Sequence, residues 1–114
     1  MNILRETIGY LAEQLDVSVS ADVPANRPES FVTVSRDGGS VTAYDDRPNL
    51  TVQVWHKDRL QVEGLADDVV DALVAMRDAI DGVSRVDVQK SYYPEQGAQV
   101  FPRYVLSCAV YCSR

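Results

Sequence analysis

The chain has 114 residues, enough for one domain with its own core, and is 46% hydrophobic and 25% charged, a globular rather than a disordered composition. A formal net charge of -6 argues against a dedicated duplex-binding protein, which needs a basic excess to neutralise phosphates. No apolar run approaches the ~20 residues of a membrane span, and Arg5, Glu6, Glu13 and Asp16 break the N-terminal apolar residues, so no signal peptide is expected.

Leu4, Ile8, Leu11 and Leu15 recur at helical spacing behind Asn2, a candidate N-cap, and predict a helix over residues 2–15. Gly9 costs this helix about 1 kcal/mol relative to alanine, so it depends on docking. Val17-Ser18-Val19-Ser20 alternates with period two, a short strand pattern, and residues 22–30, with Pro24 and Pro28, form a loop. Residues 31–36 read as a strand ended by Asp37-Gly38-Gly39, a strong turn signal, with residues 41–44 continuing a ragged hairpin. Asp45-Asp46-Arg47-Pro48 interrupts the pattern. Leu50, Val52 and Val54 then alternate with Thr51, Gln53 and Trp55 in a strand with one aliphatic face.

Asp58, followed three residues later by Gln61, fits a variant capping box. Behind it Val62, Leu65, Ala66, Val69, Leu73, Met76 and Ile80 keep helical spacing, with Asp67, Asp68, Asp71 and Asp78 on other faces, and Gly82 is a C-terminal stop. This helix covers residues 59–81. Residues 83–93 form a strand, Pro94-Glu95-Gln96-Gly97 a turn, and residues 100–112 a long last strand. In that strand Tyr104, Leu106, Cys108, Val110 and Cys112 share one face. The expectation is a single α+β domain over residues 1–114. It has an antiparallel or mixed sheet of about four strands and two helices on one face, in the order α-β-β-α-β-β.

The residues assemble no enzyme. His56 is the only histidine; a general base needs an orienting partner and a substrate pocket, and Asp58 is better used as a helix cap. The aspartates on the second helix lack the closely spaced loop oxygens of a calcium site and read as a solvated face. Gly38-Gly39 fits neither the Gly-x-x-x-x-Gly-Lys-Ser/Thr pattern of a phosphate loop nor a dinucleotide fingerprint, and there is no Gly-x-Ser-x-Gly elbow. Cys108 and Cys112 on one strand stand roughly 13 Å apart, beyond disulfide reach. Without His or other Cys partners for zinc they read as buried, reduced thiols. No catalytic residue, cofactor or metal is assigned.

What remains is contact chemistry. Trp55, Tyr92, Tyr93, Phe101 and Tyr104 lie near strand ends, and tryptophan and tyrosine are enriched at interface hot spots. Arg36, Arg47 and Arg103 fall near turns or strand starts and are available for pairing between subunits. The connection from Asp37 to Pro48 and the one from Pro94 to Arg103 are loops beside a rigid sheet, where binding commonly resides. The candidate interface is therefore Arg36, Asp37, Arg47, Trp55, Tyr93 and Arg103.

The order of these features resembles the tail terminator proteins of long-tailed bacteriophages and prophages. The matching parts are Arg27-Pro28 before the strand at 31–36, Gly38-Gly39, Asp46-Arg47-Pro48, the strand from Leu50 to Trp55, the helix from Leu60, and Pro102-Arg103-Tyr104 opening the last strand. The resemblance spans nearly the whole chain, and order and spacing carry it more than any single motif. It implies a structural role in virion assembly: a homo-hexameric ring that caps the tail tube, ends its polymerisation and presents a surface for head-tail joining. It implies as partners further copies of the chain, the tail tube protein and a head-completion or connector protein, with no membrane and no sequence-specific nucleic acid. It implies residence in the host cytoplasm during assembly and then in the virion tail. Two alternatives stay open: another neck protein, such as a head-closure or tail-completion factor, and a small ligand-binding α+β domain.

Overall fold

The computed structural model describes residues 2–26, 28–93 and 101–114. In chain order the elements are α1 (Ile3–Gln14), β1 (Ser18–Ser20), β2 (Ser30–Val41), β3 (Asp45–His56), α2 (Arg59–Ala79), β4 (Val83–Tyr93) and β5 (Arg103–Ser113). The strands form one sheet in the spatial order β1-β2-β3-β5-β4. β1 pairs parallel with β2, and every other pairing is antiparallel. The architecture is α+β with a mixed sheet and two helices. The expectation of about four strands is corrected to five, because Ser18–Ser20 finds a ladder along the start of β2.

Strand alternation decides which side is covered. Val32, Val34, Leu50, Val52, Val54, Leu106, Cys108 and Val110 lie on one face, all at most 2% exposed. They join Ile3 and Leu11 of α1 and Ala66, Val69, Leu73 and Met76 of α2 in one apolar cluster. Both helices therefore pack on that face. At about 25 cal/mol per Å² of apolar surface removed from water, this cluster is the main source of stability.

α1 begins where expected: Asn2 Oδ1 accepts from the Arg5 amide at 3.1 Å. Its deepest row is Ile3, Thr7 and Leu11, not the stripe through Leu4, Ile8 and Leu15, which flanks the core. Thr7 hides in that row because its neighbours one turn either way are apolar and bring it inward with them. α2 matches its expected face, with Val62, Ala66, Val69, Leu73 and Met76 buried. Its capping box is replaced by another arrangement: Asp58 Oδ1 accepts from the Leu60 amide at 2.8 Å, and the Asp58 amide donates to His56 Nδ1 at 2.9 Å. His56 thus supplies the acceptor that Gln61 was expected to supply. Gly82, at φ +93°, turns the chain from α2 into β4.

The largest departure is the hairpin. Asp37-Gly38-Gly39 does not end β2; it is a bulge inside it. Arg36 pairs with Leu50 and Gly39 with Pro48, so Asp37 and Gly38 together face Asn49. Gly38 and Gly39 have φ of +113° and +115°, the region that glycine enters freely. A Cβ on Gly39 would lie 2.1 Å from the Arg47 carbonyl oxygen, so the close approach excludes any side chain. Pro48, expected to interrupt the strand, is accommodated within β3: the β3–β5 ladder skips Arg47 and Pro48, where a donor would be missing. The reversal comes later, where the Thr42 amide donates to the Asp45 carbonyl at 2.8 Å.

β4 runs over the residues expected, and β5 over nearly those expected. The turn assigned to Pro94-Glu95-Gln96-Gly97 and the strand start at Val100 lie outside the described residues, as does Arg27. Cys108 and Cys112 are both buried, free thiols. Among the described residues no helix is long and apolar enough to cross a membrane.

Candidate interaction surface

Among the described residues the second face of the sheet carries no helix, and the strand registers align its side chains into rows. Phe31, Trp55, Arg103 and Tyr93 form the first row across β2, β3, β5 and β4. Thr33, Gln53, Val105 and Ser91 form the second, and Ser35, Thr51, Ser107 and Gln89 the third. Asn49, Ala109 and Asp87 follow, with Asp37 beside them in the bulge. Arg47, Tyr111 and Arg85 close the far end. The middle rows are short and polar, so a shallow depression of about 490 Å³ opens among Asp37, Asn49, Thr51, Gln89, Ser107 and Ala109. Asp37 is fixed there by the hydroxyls of Ser35 and Thr51, which both donate to its carboxylate.

The first row is an aromatic–arginine stack. Trp55 is 7% exposed and lies on Phe31, with ring centroids 5.3 Å apart and planes within 15°. The Arg103 guanidinium sits 4.9 Å from the Trp55 ring and 5.2 Å from the Tyr93 ring. Such cation–π contacts each contribute about 0.5–2 kcal/mol, more as water is excluded. Two buried donors here, Trp55 Nε1 and Arg103 Nε, have no hydrogen-bond partner among the described residues. Tyr93 is 47% exposed at the end of β4.

The opposite end repeats the theme with different residues. The guanidinium groups of Arg47 and Arg85 lie 5.3 and 5.6 Å from the Tyr111 ring, and Arg85 Nε donates to Asp87 at 3.0 Å. That hydrogen bond raises the Arg85 pKa further. The outer edge of β4, eleven residues long, pairs with no strand among the described residues.

Of the candidate interface residues, Trp55, Tyr93 and Arg103 are brought into one row, Arg47 lies at the other end of the same face, and Asp37 between them. Arg36 does not join them. It shares the helix-side face with Leu50, and its guanidinium grips Asp46 through Nη2 at 3.0 Å and Nη1 at 3.4 Å. Ordinary strand alternation puts Arg36 with Val32 and Val34 and its neighbour Asp37 on the other face; the bulge shifts the parity only from Gly39 onward. Tyr92 and Tyr104 also belong to the helix side. Their rings are 4.9 Å apart, with Lys90 reaching Asp67 of α2 at 2.9 Å.

The groups with chemical potential are spent on structure. His56 caps α2. Burial raises the Cys108 thiol to about 12, so it stays protonated and poorly nucleophilic. Burial, then the nearby Asp46 charge, raises Cys112 as well. The aspartates of α2 sit exposed along its outer side, and no group of three or more metal-ligating side chains occurs among the described residues. Arg85 and Tyr111 were not singled out from the sequence. Their signal was the alternation of Tyr111 with the inward Val110 and Cys112, which puts it on the open face. No known family profile and no curated protein matches this chain.

Proposed function

We propose that this chain is an assembly subunit: a phage or prophage tail terminator that forms a homo-hexameric ring, caps the tail tube, stops its growth and offers the surface for head joining. The observation that carries the reading is a sheet with helices on one face only among the described residues, whose other face bears arginine–aromatic stacks at both ends, buried at Phe31 and Trp55 and exposed at Tyr93, and whose β4 edge pairs with no described strand. Interface cores are enriched in aromatics and arginine, and an unpaired edge strand is a ready site for a further chain. A ring requires heterologous contacts that close by rotation, and the two ends of this face differ, as such contacts demand. The polar middle rows suit a surface that meets other proteins without aggregating as a free subunit. Chemistry is not proposed: the one histidine caps a helix and the thiols are buried. The partners in this reading are further copies of the chain, the tail tube protein and a head-completion protein.

Native mass measured across a wide concentration range tests it. The expected result is a discrete species near six chains, formed alone or on addition of short tail-tube assemblies, and arrested tube elongation in its presence. A monomer under all these conditions that leaves tube elongation unchanged overturns the reading and returns the chain to a ligand-binding domain.

A further inference from the structure

An open groove of about 720 Å³ runs between the C-terminal half of α1 and the outer flank of α2. Leu15, Leu65 and Ala72 give it an apolar floor, and Glu13, Asp16, Asp68 and Asp71 stand around it; no lysine or arginine lines it. The groove is preformed, because the Tyr10 hydroxyl donates to the Ala72 carbonyl at 2.7 Å and pins the two helices together.

The β2–β3 reversal carries an exposed feature of opposite charge. At the β2–β3 reversal Tyr44 is 84% exposed and Val41 52% exposed, two apolar side chains three residues apart. The turn that presents them is held firmly. The Asp45 amide donates to Thr42 Oγ1 at 3.0 Å, and Arg114 reaches over, its amide to the Tyr44 carbonyl at 3.0 Å and its guanidinium to the Thr42 carbonyl at 3.3 Å. Arg36 and Asp46 neutralise each other beside this tip, which leaves Arg47, opposite Ser40, and Arg114, on the turn itself, against Asp45. The tip cannot reach the groove of its own chain. β1 leaves the groove beside Phe31–Thr33, and the tip lies about 26 Å further along β2, past Val41.

We propose that the β2–β3 tip of one copy docks in the α1–α2 groove of the next, with the Tyr44 ring on the apolar floor and Arg47 and Arg114 facing the acidic rim. The contact is head-to-tail by construction. It gives the ring reading above its subunit interface and rests on that reading only for closure. Charge complementarity orients the encounter, and the buried tyrosine supplies the anchor.

Two experiments test it. In the first, Tyr44→Cys and Ala75→Cys variants are mixed under mild oxidation; Ala75 lines the groove, and the native thiols are buried. Docking predicts an intermolecular disulfide at least about tenfold faster than Tyr44→Cys with Gln89→Cys, which is on the bare sheet face, because docking raises the effective concentration of the two thiols. In the second, Tyr44→Asp and the double variant Asp68→Lys with Asp71→Lys are each measured alone and together. Each alone is expected to be monomeric with an unchanged melting temperature, since these side chains are exposed. Mixed, they retain one intact tip and one intact groove and should form a dimer and nothing larger. Tyr44→Asp assembling like the parent, or cross-linking no faster than the control, overturns the docking and leaves the ring reading standing. A monomeric parent that still cross-links at the docked rate upholds the docking and removes the ring.

Discussion

The two faces of one sheet are built from alternate residues of the same strands, yet they obey different rules. On the helix side β3 and β5 present Leu50, Val52, Val54, Leu106, Cys108 and Val110, all essentially sealed from water. On the bare side the same strands present Asn49, Thr51, Gln53, Val105, Ser107 and Ala109, short or polar and at least partly exposed. The first set packs against α1 and α2, and the second meets no helix among the described residues. Substitutions on the helix side should therefore be read in stability, and substitutions on the bare side in association.

The sharpest way to break that division is Leu73→Ala in the middle of α2, where the side chain is fully buried. The truncation leaves a cavity against the sheet and should cost about 2–5 kcal/mol in urea denaturation; a loss below about 1 kcal/mol would mean that α2 does not seal this face. Next is Gly39→Ala. The new Cβ meets the Arg47 carbonyl oxygen and Pro48 Cα at a positive φ, so the bulge must open, at about 1–3 kcal/mol. Gly38→Ala, at a similar φ but with open space around it, should cost only about 1 kcal/mol, and the gap between the two variants measures the close approach alone.

Alkaline pH probes the buried thiol. The folded pKa of Cys108 is raised above the usual value of 9.0 to about 12, so the folded state holds the proton more tightly. The stabilisation is complete below pH 9 and is lost as pH rises toward 12, with a limiting slope of about 1.4 kcal/mol per unit. Stability curves of the parent and Cys108→Ala should converge over that window. Asp58→Ala removes the α2 cap and should cost about 1 kcal/mol. The smallest effect belongs to the bare face: Gln89→Ala should change stability by less than about 0.5 kcal/mol. A larger loss there would show that this face is packed after all.

The cores of α2, β5 and the aliphatic side of β3 are legible because periodicity and burial coincide there, whereas in β4 only Val83 and Val86 are buried. A stripe of Val, Leu and Met at 3.6 spacing, or Val at every second residue, has one low-energy placement, toward the core. Asn2 and Asp58 were legible as caps for a local reason: side-chain oxygens sit within reach of orphan amides. The hairpin was misread because Asp37-Gly38-Gly39 satisfies the local chemistry of a turn and of a bulge equally well. Only the pairing of Arg36 with Leu50 and Gly39 with Pro48 chooses between them. The division of Arg36 from Asp37 needs no such choice, because period-two alternation from Val32 and Val34 already puts Arg36 on the helix side; what the pairing adds is Asp46 as its partner.

Spacing and side-chain reach along single segments are enough to give an α+β domain with an amphipathic helix over α2, alternating strands and two thiols too far apart to join. Three features come only from contacts between distant segments: Ser18–Ser20 adds a parallel fifth strand, Trp55, Arg103 and Tyr93 stand in one row, and α1 and α2 enclose an acidic groove. Each depends on register or packing between segments distant in the chain, and those are set by the free energy of the whole fold, not by the preference of any one stretch.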